Sequence, residues 1–163
     1  MKICQIVGYK NSGKTTVMNE LIRYFSNQNK KVGSFKHHGH GGEPDVVKTT
    51  DSHQHYTAGS YMSGVQGETT TQLIFSNIKI EEVFRLYERM AIDILFIEGF
   101  KTADFPKIVL VKGKEDESLL NELSNIIAVG SWDENLLENV KYPIFPITKM
   151  ESYLNQLAEY ILD

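Results

Sequence analysis

Cysteine occurs once in the chain, as Cys4, so no intrachain disulfide can form, and a lone thiol inside an apolar stretch reads as a core residue of a reducing compartment. Long apolar runs are missing as well. Nothing approaches the ~20 residues of a membrane span, and the first residues lead straight into a strand pattern without a basic-then-apolar leader, so a cytoplasmic protein with no membrane partner is expected. Positive charge is not in surplus: 17 Lys and Arg against 21 Asp and Glu give a net charge of −4, which argues against a general nucleic-acid binder. Arginine is scarce. Arg23, Arg85 and Arg89 all fall on expected helices away from loop ends, so no arginine finger is at hand and any phosphoryl chemistry should be slow. There is no internal repeat and no low-complexity tract, and 163 residues suffice for one core, so a single domain over 1–163 is expected.

What is present is a phosphate-binding loop. Gly8-Tyr9-Lys10-Asn11-Ser12-Gly13-Lys14-Thr15 fits G-x-x-x-x-G-K-[ST] at every fixed position, after the β-prone run Ile3 to Val7 and before a helical pattern. A polyanion needs donors that approach closely, and Gly8 and Gly13 remove side chains that would hold backbone N–H groups away from phosphate oxygens. Lys14 offers a point charge to the β and γ phosphates and Thr15 a hydroxyl to Mg²⁺, while the helix directs its positive end at the anion. A glycine-containing turn that binds nothing is the plainer alternative.

The rest of the chain alternates strands and helices. Val17, Met18, Leu21, Ile22 and Phe25 form one helical face, and Val32 to Lys36 reads as the second strand of a right-handed β-loop-α-β unit. A short helix is expected from Asp51 to Ala58, stopped at Gly59. Ser60 to Gln66 and Thr70 to Phe75 flank Gly67-Glu68 as a hairpin that would extend the parallel sheet with antiparallel strands and leave an edge for a second subunit. Ile80, Val83, Phe84 and Tyr87 read as core packing of a third helix. Strands are expected at 93–98, 107–111, 125–129 and 143–146, with a helix bearing Leu119, Leu120 and Leu123 and a closing helix from Met150 to Ile161. Thr148-Lys149-Met150-Glu151 is similar to the T-K-x-D guanine reader with Glu for Asp, and it also reads as the start of the closing helix.

All five histidines lie between positions 37 and 55, in a segment leaving the carboxyl end of the second strand, where ligands of open α/β sheets bind. Lys36 with His37, His38 and His40 fits an anion site, while a transition-metal site and a solvated loop are the competing readings. The run Ile94 to Ile97 ends in Glu98, a buried-strand pattern with a carboxylate at its carboxyl end, suited to holding Mg²⁺ through water or orienting an attacking water. Asp93, at the other end of that strand and about 16 Å away, reads as structural. Ser131, Trp132 and Asp133 follow a strand end, where they form either a turn or contacts to a nucleotide base.

Taken together, Gly8 to Thr16, Val32-Gly33, Lys36-His37, Asp51-Ser52, Ala58-Gly59, Glu98-Gly99-Phe100-Lys101 and Phe105-Pro106-Lys107 resemble the molybdopterin-guanine dinucleotide biosynthesis protein B (MobB) family over most of the chain. The resemblance implies a P-loop NTPase-like α/β fold with a mostly parallel sheet flanked by helices. It implies a homodimeric GTP-binding accessory protein of molybdenum cofactor synthesis, weakly GTP-hydrolysing, whose partner is the guanylyltransferase that attaches GMP to molybdopterin. The nucleotide residues would be Gly8, Lys10, Asn11, Ser12, Gly13, Lys14, Thr15, Thr16, Lys36 and His37, with Glu98 and Lys14 catalytic and Thr15, Asp51 and Glu98 at Mg²⁺. The segment from His40 to Thr50 is longer and richer in glycine than the family loop, and the offset of Lys10 differs from that of the second lysine in related dimeric NTPases. A small-molecule kinase and a nucleotide-binding module without turnover are the alternative functions.

Overall fold

A computed structural model describes residues 1–37, 43–133 and 140–163. The chain divides into two compact units, Met1–Gly39 with Tyr87–Asp163, and His40–Leu86.

The first unit is a six-stranded parallel sheet in the order β2-β5-β1-β6-β7-β8. Its strands are β1 (Lys2–Gly8), β2 (Val32–Lys36), β5 (Ile94–Glu98), β6 (Lys107–Val111), β7 (Ile126–Ser131) and β8 (Ile144–Pro146). Alternation along the strands sends Cys4, Ile6, Ile94, Phe96, Ile108, Leu110 and Ala128 to one face, where α1 (Lys14–Asn27) and α5 (Leu154–Leu162) cover them with Val17, Leu21, Phe25, Leu157 and Ile161. Each of the larger aliphatic and aromatic side chains among them, fully buried, contributes about 1.5–3 kcal/mol. Val7, Val109, Val111 and Val129 point to the other face and meet Leu119 of α4 (Leu119–Glu122). Burial on both faces is why β5 and β6 read as near-continuous apolar runs.

Because β1 connects through α1 to β2 on one side and pairs with β6 on the other, its carboxyl end lies where strand order reverses, the place an open α/β sheet offers a ligand. Register brings the strand ends level there, with Ile6 and Lys36 both opposite Glu98 and Gly8 opposite Leu110. Asp93 is structural, as expected, its carboxylate accepting the Lys31 backbone N–H at 2.8 Å. The closing helix is broken: a 3-10 segment (Ile147–Tyr153) with non-helical geometry at Lys149 precedes α5. Thr148 to Glu151 are therefore the start of that helix, and Met150 is buried in the core.

The second unit holds α2 (Asp51–Thr57), capped by the Thr50 hydroxyl, and the antiparallel pair β3 (Met62–Gln66) and β4 (Thr71–Phe75). The hairpin is present, but its strands form a two-stranded sheet of their own and add no strands to the parallel one. The helix α3 (Ile80–Arg89) begins in this unit and ends in the first. Its apolar stripe is only half-buried, short of the core packing expected from the pattern. Tyr87 shows why, since it lies over Gly33 of β2, an edge strand, and donates its hydroxyl to the Ser34 carbonyl at 2.6 Å.

Candidate functional site

The loop between β1 and α1 has the shape its sequence requires. Asn11 and Gly13 take positive φ of 60° and 97°, the Ser12 N–H turns back to the Tyr9 carbonyl at 3.3 Å, and α1 opens with the Val17 N–H on the Gly13 carbonyl. A Cβ on Gly8 would come within 2.5 Å of the Ser12 Oγ, and one on Gly13 within 2.9 Å of the Trp132 indole, so only glycine leaves the backbone this close-packed. Ser12 is wholly buried, and its Oγ has no hydrogen-bond partner among the described residues. An orphaned polar atom inside a glycine-bounded loop is a position made for a ligand oxygen. Thr15 and Thr16 are exposed on the first turn of α1, and Lys10 and Asn11 are exposed at the loop tip.

Lys14 folds back over its own loop, donating to the carbonyls of Gly8 (3.2 Å) and Tyr9 (2.7 Å). Burial pulls its ammonium below the ordinary lysine value, Glu98 opposes that shift, and Lys101, Lys36 and Lys112 reinforce it. One carboxylate among four ammonium groups leaves an excess of positive charge that a polyanion would neutralise.

Glu98 and Lys36 end neighbouring strands and form an ion pair at 3.4 Å. His37 follows, its N–H on the Glu98 carbonyl at 3.0 Å and its ring 4.8 Å from that of Phe100. His38 and His40 lie outside the described residues. Asp51 belongs to the other unit, where it is exposed at the first position of α2. Among the described residues no three His, Cys, Asp or Glu side chains gather as a metal site would.

Three contributors carry no part in the sequence-based site. Gln5 interrupts an apolar strand, is wholly buried, and donates its amide to the carbonyls of Gly99 (3.1 Å) and Phe100 (2.7 Å). Lys107, opposite Gln5 in register and equally buried, donates to the carbonyls of Ala103 and Phe105, both at 2.9 Å. Burial lowers its pKa, and Asp104 and Cys4 oppose the shift. Lys101 places its ammonium 3.9 Å from the centre of the Tyr9 ring. A polar residue in an apolar strand was the available signal for Gln5 and Lys107. Trp132 also gains a definite contact, its indole N–H donating to the Ser12 carbonyl at 3.1 Å. Beyond the ends of β7 and β8 a cavity of about 260 Å³ opens, lined by Ser131, Asp133, Ile144, Phe145, Pro146 and Tyr153.

The family model for molybdopterin guanine dinucleotide synthesis protein B, MobB, matches residues 3–132. The chain belongs to the MobB family. It is 36% identical over 145 residues to a probable molybdopterin-guanine dinucleotide biosynthesis adapter protein of Bacillus subtilis (strain 168), covering 88% of this chain and 84% of that one. A putative adapter protein of the same biosynthesis from Methanocaldococcus jannaschii is 30% identical over 131 residues, 78% of this chain and 54% of the relative. The crystal structure of Bacillus subtilis MobB superposes with a TM-score of 0.82 at 31% identity, over 99% of this chain and 98% of that one. The fold is that of MobB, a mostly parallel sheet flanked by helices. The range matched to MobB takes in the phosphate-binding loop, the Lys36–Glu98 pair and the stapled turn after Glu98, and it ends at Trp132.

Proposed function

We propose that the chain is an adapter of molybdopterin-guanine dinucleotide synthesis that binds GTP with Mg²⁺ and hydrolyses it slowly. The observation that carries nucleotide binding is the buried, unpartnered Ser12 hydroxyl inside a loop whose two glycines admit no side chain. Gly8 to Thr16 hold the phosphates, with Lys14 leaving the Gly8 and Tyr9 carbonyls for the β and γ phosphates. Lys36 and His37 add donors at the neighbouring strand end, and Lys10 and Asn11 close the loop tip. The nucleoside extends toward Trp132 and the cavity beside Ser131. The names of the relatives, all adapters of a guanine dinucleotide synthesis, support guanine as the base and the guanylyltransferase of that synthesis as the partner.

The donors of the first unit fit a hard cation: the Thr15 hydroxyl and the Glu98 carboxylate are oxygen ligands. Mg²⁺ bound there supplies charge neutralisation to the phosphates. In hydrolysis a water oxygen bonds to the γ phosphorus as the bond to the β–γ bridging oxygen breaks, and Glu98 orients that water. The three arginines lie on helices, Arg23 paired with Glu20 on α1 and Arg85 and Arg89 on α3, which supports slow turnover. The working form is a cytoplasmic homodimer joined through the β3–β4 hairpin.

Calorimetric titration with GTP and ATP, with and without Mg²⁺, followed by product analysis, tests this. Binding of GTP with release of inorganic phosphate is expected, and Lys14→Ala should weaken GTP at least ~10-fold with an unchanged melting curve, as loss of a charged phosphate contact implies. Unchanged affinity in that variant would overturn the loop assignment. Phosphate delivered to an organic acceptor would make the protein a kinase.

A further inference from the structure

Directly after Glu98 the backbone does something uncommon. Gly99 and Phe100 both take positive φ, 84° and 58°, and for Phe100 this left-handed conformation is strained. The turn is held by a dedicated apparatus. Gln5 grips the carbonyls of both residues from inside the sheet, Lys107 grips those of Ala103 and Phe105, the Gly99 N–H bonds the Ile6 carbonyl at 3.0 Å, and the Phe100 ring packs on His37. Two fully buried polar side chains spent on one short connection need a reason beyond connecting β5 to β6. The consequence of the turn is the position of the next residue. Lys101 is carried back over β1, and its ammonium lies on the ring of Tyr9, the second residue of the phosphate-binding loop.

Tyr9 thus receives two ammonium groups, Lys14 on its carbonyl and Lys101 on its ring. Neither partner is a match for a charged phosphate oxygen, since a carbonyl and a ring quadrupole carry only partial charge. We infer that Lys101 is a second phosphate lysine, resting on Tyr9 and moving to the terminal phosphate of a nucleoside triphosphate, where it makes the site select triphosphate over diphosphate. The inference rests on the nucleotide-binding reading above and deepens it. The terminal phosphate is the one Lys101 reaches because it shares Tyr9 with Lys14 and arrives from the side of Glu98, whereas Thr15 and Thr16 on the helix serve the phosphates nearer the nucleoside. It also supplies, within the chain, the cation that arginine does not supply near this loop.

Affinities of GTP and GDP, measured by calorimetry for the wild type, Lys101→Met and Lys101→Arg, test it. The wild type should prefer GTP. Lys101→Met should lose about tenfold or more in GTP affinity while GDP changes by less than about twofold, and Lys101→Arg should recover part of the preference, as the loss of one charged phosphate contact implies. Equal losses for GTP and GDP in Lys101→Met, or no loss for either, would overturn the role of Lys101 while leaving nucleotide binding in place. A wild type that binds neither nucleotide would overturn both readings. Melting curves of the variants matching that of the wild type separate ligand loss from unfolding.

Discussion

The Lys36 ammonium lies 3.4 Å from a Glu98 carboxylate oxygen, the two residues ending adjacent parallel strands in direct register. Lys36 is 65% exposed and Glu98 only 13%, so the pair sets a solvent-exposed cation against a largely buried anion. An ion pair with so exposed a partner contributes under ~1 kcal/mol to stability. Glu98→Gln should therefore leave the melting temperature nearly unchanged and GTP affinity within about threefold, while phosphate release falls at least about tenfold if the carboxylate has the proposed role of orienting water. Phosphate release is the measurement. Equal turnover would reduce Glu98 to the residue that positions Lys36.

The glycine-bounded loop between β1 and α1 and the central strands of the sheet were legible in the sequence because both are local: glycine spacing dictates the shape of the loop, and burial on both faces writes apolar runs. Lys107–Val111, buried throughout, coincides with the expected strand for that reason, and Val32–Lys36, a partly exposed edge strand, coincides as well. The staple of the turn after Glu98 was not legible, because Gln5 and Phe100 meet across 95 positions and nothing in either neighbourhood announces the partner. The hairpin was seen, but its separation from the parallel sheet was not, since antiparallel patterning is the same whether or not a third strand joins. For the closing helix, periodicity gave the apolar face of residues 150–161 but not the break at Lys149, beside the buried Met150.

Trp132 is the only tryptophan and bonds the carbonyl of Ser12 with its indole against Gly13, so its emission should report the state of the loop. GTP should change the emission of the wild type with the same midpoint as calorimetry. Trp132→Phe keeps the aromatic packing but loses the N–H donor, a loss of about 1 kcal/mol, and should weaken GTP about fivefold. Emission unmoved at saturating GTP would mean that Trp132 braces the loop from a side that nucleotide does not touch.

Cys4 is wholly buried and its thiol is pushed up from 9.0 to about 12 by that burial, with a backbone hydrogen bond at Ile108 and the Lys107 charge opposing. The folded state thus holds the proton more tightly than the unfolded one. The stability this contributes is complete below pH 9 and is lost as pH rises from 9 toward about 12. Alkylating reagent at pH 8 should leave the native protein unlabelled and modify it promptly once denatured. Denaturant titrations of wild type and Cys4→Ala across the alkaline interval should show the steeper fall in the wild type. Parallel slopes would remove Cys4 as the cause.

On the hairpin, Gly64 of β3 faces Leu73 of β4, and Met62 faces Phe75, which puts Met62 and Leu73 on one side of the two-stranded sheet at 53% and 51% exposure. Val65, on the opposite side, is 48% exposed. Exposed apolar residues flanking unpaired strand edges are poorly suited to solvent, and an antiparallel edge can pair with its own copy about a twofold axis. Under that symmetry each buried residue counts twice. Covering half of a leucine side chain contributes about 1 kcal/mol, so Leu73→Lys, which forfeits that on both protomers and brings two like charges together, should weaken association by at least about a hundredfold. Sedimentation at micromolar concentration should then show the wild type as a dimer and Leu73→Lys as a monomer, with matching secondary structure by circular dichroism. A monomeric wild type would remove the homodimer, and a variant still dimeric would move the interface off this hairpin face.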